Sequence, residues 1–135
     1  MTQILIFEDD DRLSAYWKTL LEAEDYTAES CATMKESLIV MEQTPPDLII
    51  VDMLIKQGGR LVAEGGLTLI AKLKLQSIDF RGPIIGVSGM KKGPFLRSTP
   101  LDIAKQMGID VALYKPVCPD QLLQTVERLL KYSGS

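Results

Sequence analysis

The sequence predicts an α/β fold in which a doubly wound sheet of five parallel strands is covered by helices on both faces. Short apolar runs alternate five times with segments of helical periodicity along the 135 residues, which is the pattern of repeated strand–helix units. The runs are almost continuously apolar, as expected for strands buried on both faces. Because crossovers are right-handed, the strand order 2-1-3-4-5 suits five strands and places the first and third side by side.

The predicted strands are short runs separated by clear breaks. Pro45 and Pro46 end the helical segment before the third strand, and Gly82 and Pro83 open the fourth. The second strand has the weakest pattern of the five. We predict strands at residues 4–7, 27–31, 48–51, 84–87 and 111–114.

Each strand is followed by residues that recur at helical spacing. Thr33 and Glu36 predict a capping box at the start of the second helix. Thr99 and Pro100 resemble an N-cap and a first-turn proline, and Gly108 closes this short fourth helix. The apolar residues that mark the other helices are Leu13, Trp17, Leu20 and Leu21 in the first, Met34, Leu38 and Met41 in the second, Leu69, Ile70 and Leu73 in the third, and Leu122, Leu123, Val126, Leu129 and Leu130 in the fifth.

Composition and charge narrow the class of protein. With 46% hydrophobic and 24% charged residues, the chain is typical of a soluble globular protein. We predict one domain over residues 1–131, followed by a flexible tail at 132–135. The net charge of −3 gives no electrostatic basis for direct nucleic-acid binding. No apolar stretch has the length of a membrane span, and the chain enters a strand at once, so we expect no membrane segment and no signal peptide.

Cysteine and histidine usage exclude further classes. Cys31 and Cys118 form no CxxC motif and indicate no disulfide framework, so a cytoplasmic location is expected. The chain has no histidine, which excludes imidazole-based acid–base catalysis, imidazole zinc sites and an internal phosphohistidine. Neither the dinucleotide-binding glycine motif nor the P-loop motif occurs.

Four of the five apolar runs end at residues that phosphoryl chemistry can use. The first is followed by Glu8 and Asp9, the third by Asp52, the fourth by Ser88 and the fifth by Lys115. In an open parallel sheet, ligands bind outside the carboxyl ends of the strands. We therefore expect these side chains to converge there, with Glu8 and Asp9 beside Asp52.

The expected cluster of carboxylates points to a magnesium ion. Three carboxylates that lie close together repel one another, and a hard divalent cation with oxygen ligands removes the repulsion. A carboxylate can also accept a phosphoryl group. Asp52 as acceptor, Asp9 as Mg²⁺ ligand, Glu8 as support, and Lys115 and Ser88 as partners of the phosphoryl oxygens make a coherent site. Asp10 is left out, since it suits the N-terminus of the following helix.

At this point the sequence resembles the receiver domains of two-component response regulators, which have a flavodoxin-like fold. The resemblance covers essentially the whole chain, and any one of its four motifs is weak by itself. Together, in order and at the ends of successive apolar runs, they are specific. The motifs are Ile4-Leu5-Ile6-Phe7-Glu8-Asp9-Asp10, Pro46-Asp47-Leu48-Ile49-Ile50-Val51-Asp52, Val87-Ser88-Gly89 and Lys115-Pro116.

The resemblance implies a role for each residue of the site. Asp52 would accept a phosphoryl group from a histidine kinase or a histidine phosphotransfer protein, in a reaction that the domain itself catalyses. Asp9, Asp52 and the backbone carbonyl of Leu54 would hold Mg²⁺, which Glu8 would reach through water. Ser88 and Lys115 would bind the phosphoryl oxygens. The peptide bond from Lys115 to Pro116 would be cis.

The chain departs from the family pattern in two segments and in one strand. Residues 53–66 and 89–98 are longer than usual, and the common proline after the acceptor is missing; we expect these segments to gate access to the site or to choose the partner. Ala112 stands where receivers usually carry the aromatic residue that turns inward on activation. Tyr114, two residues on, points to the same face of a regular strand and is a candidate replacement.

Two apolar residues predict a long-lived phosphoryl group. Leu54 and Met90 occupy positions that influence its loss in the family, and neither can orient an attacking water by hydrogen bonding.

Two other functions stay open. One is a pseudo-receiver that acts as an interaction module without phosphate, and the other is a Mg²⁺-dependent phosphohydrolase with Asp52 as nucleophile. The output protein or domain and the cognate kinase are not indicated by the sequence.

Overall fold

The computed structural model describes residues 2–53, 56–57, 60–61, 65–75, 78–89 and 100–132. Strands and helices alternate through most of this part of the chain. The strands are β1 (Gln3–Phe7), β2 (Thr27–Cys31), β3 (Leu48–Asp52), β4 (Lys56–Gln57), β5 (Arg60–Leu61), β6 (Ile84–Ser88) and β7 (Val111–Tyr114), and the helices are α1 (Asp11–Glu22), α2 (Met34–Gln43), α3 (Gly66–Lys74), α4 (Pro100–Gln106) and α5 (Pro119–Tyr132).

Five of the strands form one parallel sheet in the order β2-β1-β3-β6-β7. Since β6 and β7 are the fourth and fifth strands of this sheet along the chain, the predicted order 2-1-3-4-5 is confirmed. The two-residue strands β4 and β5 pair with each other in antiparallel fashion, outside the main sheet. This small pair was not predicted, although Gly58 and Gly59 between its strands are a hairpin signal in the sequence.

Two hydrophobic clusters lie on opposite faces of the sheet. Neighbouring residues of a strand point to opposite faces, so Ile4 and Ile6 of β1 belong to one cluster and Leu5 and Phe7 to the other. The first of these clusters also contains residues of α1 and α5, and the second contains residues of α2, α3 and α4. Both faces of the sheet are therefore covered by helices, as the near-continuous apolar runs predict.

Local sequence signals set the ends of several helices. Asp10 caps α1, because its carboxylate accepts hydrogen bonds from the backbone N–H groups of Arg12 and Leu13. Thr33 caps α2 in the same way through the N–H of Glu36. Gly108, just beyond α4, has a φ of +96°, which favours glycine. The predicted place of Asp10 at a helix N-terminus and the predicted Thr33 cap of α2 are thus confirmed.

Some predictions fall outside the described residues. These are the positions of Leu54, Met90 and Thr99, and most of the two long segments. Helix α5 includes Tyr132, and the predicted domain boundary there stays a prediction. None of the helices in the described ranges combines the length and the apolar character that a membrane crossing needs.

Candidate functional site

The strand register brings the two acidic motifs together. Phe7 at the end of β1 is paired with Val51 of β3, so Glu8 and Asp52 follow at the same level of the sheet. On the other side of β3, Asp52 is paired with Val87 of β6, and Ser88 is the next residue. The carboxyl ends of three neighbouring strands therefore meet at one edge, which is where parallel α/β sheets bind ligands.

Three carboxylates form a compact cluster at this edge. One oxygen from each of Glu8, Asp9 and Asp52 lies within 4.8 Å of the others. Glu8 and Asp52 are buried, whereas Asp9 is partly exposed. Oxygen atoms at this spacing match the donor set that a hard divalent cation prefers. The predicted adjacency of Glu8 and Asp9 to Asp52 is therefore present in the structure.

Lys115 bridges two members of this cluster. Its Nζ atom lies 2.8 Å from Glu8 Oε1 and 3.1 Å from Asp52 Oδ2. Burial alone would lower the pKa of Lys115, but the hydrogen bond to Glu8 and the charge of Asp52 outweigh it, and the pKa is raised. The backbone N–H of Lys115 also donates to the carbonyl oxygen of Ser88 at 2.9 Å. The ammonium group is thus held in place and charged.

The peptide bond that follows Lys115 is cis, as expected from the resemblance to receiver domains. This bond joins Lys115 to Pro116, directly after β7. Proline is the residue at which a cis peptide bond costs little.

Lys115 donates a hydrogen bond to only one of the two carboxylate oxygens of Glu8. Glu8 is 1% exposed, and within the described part of the chain its Oε2 atom is buried without a hydrogen-bond partner. Burial and the neighbouring Asp52 carboxylate raise the pKa of Glu8 from 4.5 to about 8, against the opposing effect of Lys115. One ammonium cannot balance three ionised carboxylates, so Glu8 is mostly protonated at neutral pH in the metal-free site, and a divalent cation would supply the charge that lets all three ionise. The donor set and the unpartnered oxygen therefore fit Mg²⁺.

The structure brings together most of the residues predicted for the site. Glu8, Asp9, Asp52 and Lys115 lie in one cluster. Ser88 is buried at the end of β6, next to the strand that carries Asp52. The sixth predicted position, the backbone carbonyl of Leu54, lies outside the described residues.

Sequence reasoning missed Gly66, the first residue of α3. A Cβ atom built on Gly66 would overlap the carbonyl oxygen of Asp52. The signal in the sequence was the glycine pair Gly65-Gly66 directly before an apolar helix. The contact of this pair with the distant Asp52 is visible only in the fold.

Comparison with known families decides the relationship. The response regulator receiver domain family matches residues 4–127. The chain belongs to this family. Receiver domains act in phosphorylation-dependent signalling, and the match contains every residue predicted for the site. The resemblance inferred from the four sequence motifs is confirmed.

Solved receiver domains have the same fold. A response regulator receiver domain protein, described as CheY-like, from Methanospirillum hungatei JF-1 is 27% identical with a TM-score of 0.79, and the match covers 98% of this chain and 96% of that one. A Francisella response regulator receiver domain is 26% identical with a TM-score of 0.76, covering 97% and 98%. The predicted flavodoxin-like receiver fold is therefore confirmed.

A longer protein also contains this fold. NtrX from Brucella abortus, solved in complex with ADP, is 24% identical with a TM-score of 0.79. The match covers 98% of this receiver but only 28% of the NtrX chain, so it reports the fold of one part of NtrX. A search of curated proteins found no match.

Proposed function

We propose that this receiver is a phosphorylation-dependent signalling switch that accepts a phosphoryl group on Asp52. The observation that carries the proposal is the cluster of Glu8, Asp9 and Asp52 with the Lys115 ammonium bound between two of its members. Such a cluster offers a nucleophilic oxygen, a cation site and a fixed positive charge within a few ångströms. Phosphoryl transfer depends on this kind of positioning and charge neutralisation more than on a base.

In the proposed reaction, an Asp52 carboxylate oxygen attacks the phosphorus atom of the donor. A new P–O bond forms while the bond from phosphorus to the donor breaks, and the donor atom leaves with the electron pair. Lys115, already 3.1 Å from Asp52 Oδ2, would neutralise charge on the phosphoryl oxygens. The Ser88 hydroxyl would donate a hydrogen bond to one of them. The product is a stoichiometric aspartyl phosphate and not a released turnover product.

Glu8, Asp9 and Asp52 are the side chains that would hold Mg²⁺, together with the backbone carbonyl of Leu54 expected from the family. When bound, Mg²⁺ would supply positive charge at the phosphoryl oxygens. The other roles belong to residues of this chain. The Lys115 ammonium would orient the phosphoryl group and neutralise charge on its oxygens, and the burial of Asp52 limits the access of water to the carboxylate.

The donor would be a phosphohistidine outside this receiver domain. Its 135 residues contain no histidine, so a cytoplasmic histidine kinase or histidine phosphotransfer protein would supply the phosphoryl group. A small acyl phosphate would serve the same purpose in vitro. Phosphorylation adds charge and acceptor oxygens at the site, and this change would bias the neighbouring segments between two states.

The proposal is tested by the intact mass of the protein after incubation with acetyl phosphate and Mg²⁺. We expect one phosphoryl adduct, which Asp52→Asn abolishes. Asp47→Asn is the matched control, because Asp47 is an exposed carboxylate at the opposite end of the same strand. An unmodified wild-type protein that also fails to bind beryllofluoride would contradict the proposal and favour the pseudo-receiver. Continuous phosphate release would favour the phosphohydrolase.

A further inference from the structure

The first turn of α3 lies directly against the backbone of Asp52. Gly66, the first residue of this helix, is buried. A Cβ atom at this position would overlap the Asp52 carbonyl oxygen and would lie 2.9 Å from the Asp52 carbonyl carbon and 2.9 Å from Met53 Cα. All three are backbone atoms, so no side-chain rotation can make room for the added carbon.

Conformation does not explain the glycine. Gly66 lies in a helix, and its φ is not positive. At a helical position alanine is normally preferred over glycine. The reason for glycine at residue 66 is therefore space, namely the close approach of α3 to the end of β3.

The peptide unit after Asp52 is held from two sides. On one side the N–H of Met53 donates to the carbonyl oxygen of Val87 at 2.9 Å, which ties the unit to β6. On the other side lies Gly66 at the start of α3. A side chain at residue 66 would push α3 away or displace the backbone that carries the Asp52 carboxylate.

We propose that Gly66 is a positioning residue for Asp52. By lacking a side chain, it lets α3 seat against the end of β3 and sets where the Asp52 carboxylate stands relative to Glu8, Asp9 and Lys115. The inference rests on the proposed role of Asp52. Its consequence is large because displacements on the order of 1 Å can slow a positioned reaction about 100-fold.

Gly82 provides a matched control at the other end of β3. A Cβ atom at Gly82 would overlap the carbonyl oxygen of Asp47, which directly precedes β3, and would lie 2.9 Å from the Phe80 ring. Gly82→Ala therefore creates the same kind of backbone overlap, on the same strand, away from the acidic cluster. Comparing the two variants separates loss of stability from loss of positioning.

The experiment measures three quantities for wild type, Gly66→Ala and Gly82→Ala. These are the melting temperature, the Mg²⁺ dissociation constant by calorimetry with MgCl₂, and the maximal rate of phosphorylation by acetyl phosphate at saturating Mg²⁺. We expect both variants to melt at lower temperature. Only Gly66→Ala should bind Mg²⁺ more weakly and accept the phosphoryl group more slowly, by about 10-fold or more in each case.

Two results would overturn the inference. One is a folded Gly66→Ala protein with wild-type Mg²⁺ affinity and wild-type rate. The other is an equal loss of Mg²⁺ affinity and phosphorylation rate in Gly66→Ala and Gly82→Ala, which would reflect a general disturbance of β3. If Gly66→Ala unfolds at the assay temperature, the measurements are repeated for all three proteins in trimethylamine N-oxide, which favours the folded state.

The inference and the proposed function fail in different ways. If wild-type protein accepts no phosphoryl group, the proposed function is wrong, whereas the comparison of Mg²⁺ affinities still decides whether Gly66 positions the Asp52 carboxylate. If wild type is phosphorylated normally and Gly66→Ala is too, only the positioning role is wrong.

Discussion

At the scale of single residues, the ionisation of Glu8 affects the stability of the metal-free protein. Lys115 binds one of the Glu8 oxygens, while the other is buried and has no hydrogen-bond partner among the described residues. Because the folded state raises the pKa of Glu8 from 4.5 to about 8, ionising this carboxyl group opposes folding. The protonated Glu8 side chain therefore contributes to the stability of the folded protein. This contribution is fully present below pH 4.5 and is lost as pH rises through about 8.

We predict that Glu8→Gln stabilises the metal-free protein at pH 8 by about 1–2 kcal/mol. Glutamine keeps the size of the side chain, removes the buried charge and can donate to Asp52. Thermal unfolding with and without MgCl₂ at several pH values checks this. The variant should also lose most of the stabilisation by Mg²⁺ and the decline in stability between pH 4.5 and about 8.

Asp10→Asn is the control for Glu8→Gln. Asp10 is an exposed acidic neighbour that caps α1, and asparagine is an equally good cap. We expect it to leave the Mg²⁺ response unchanged. A metal-free Glu8→Gln protein that is less stable than wild type would contradict the interpretation of Glu8.

The two cysteines are expected to react at very different rates. Burial raises the pKa of the Cys31 thiol to about 11, so at pH 8 roughly one thiol in a thousand is ionised. Cys118 is exposed. Iodoacetamide at pH 8 should add one group to the native protein, at Cys118, and a second only after unfolding. Rapid double labelling of native protein, or any native labelling of Cys118→Ala, would contradict this.

At the scale of elements, the α2 cap tests how local sequence sets a helix end. The Thr33 hydroxyl accepts the N–H of Glu36 at 3.1 Å. We predict that Thr33→Ala lowers the free energy of unfolding by about 1 kcal/mol, and that Thr33→Asp restores most of it. Urea unfolding provides the measurement. Because α2 contributes no residue to the acidic cluster, the rate of phosphorylation by acetyl phosphate should be unchanged. A slower rate in Thr33→Ala would contradict this independence of the α2 cap and the site.

The strands and helices differ in how strongly the sequence predicts them. The five strands of the main sheet were predicted within one residue of their observed bounds, although β2 has the weakest pattern, and apolar spacing indicated where most of the helices lie. The β4–β5 pair was missed because its strands are two residues long, too short for any alternation to be recognised. Pairing between such short strands depends on the turn between them more than on their own residues.

At the scale of the whole molecule, we predict an aspartyl phosphate that persists for hours. The reason is that Leu54 and Met90, both outside the described residues, are apolar and cannot orient a water for attack. The decay of the phosphoryl adduct, followed by intact mass after removal of the donor, checks this. Met90→Asn should shorten the lifetime and Met90→Leu should not. Loss of the adduct within seconds in wild type would contradict the prediction.

The two-sided core explains why the topology was predictable. Runs such as Leu48–Val51 are buried on both faces of the sheet, and strands of this type occur in parallel sheets whose faces are both covered by helices. Handedness then leaves few strand orders. Once the order is known, the ends of β1 and β3 are neighbours, and the meeting of Glu8 and Asp9 with Asp52 follows.

By itself, the sequence determined the class of fold, the strand order, the cap at Thr33, and the acidic residues that meet at the sheet edge. These features depend on local periodicity and on residue type. Only the tertiary structure decided that Lys115 binds both Glu8 and Asp52, and that Gly66 lies against the Asp52 backbone. Such contacts join residues far apart in the chain, and their distances depend on how helices seat on the sheet, which no local pattern encodes.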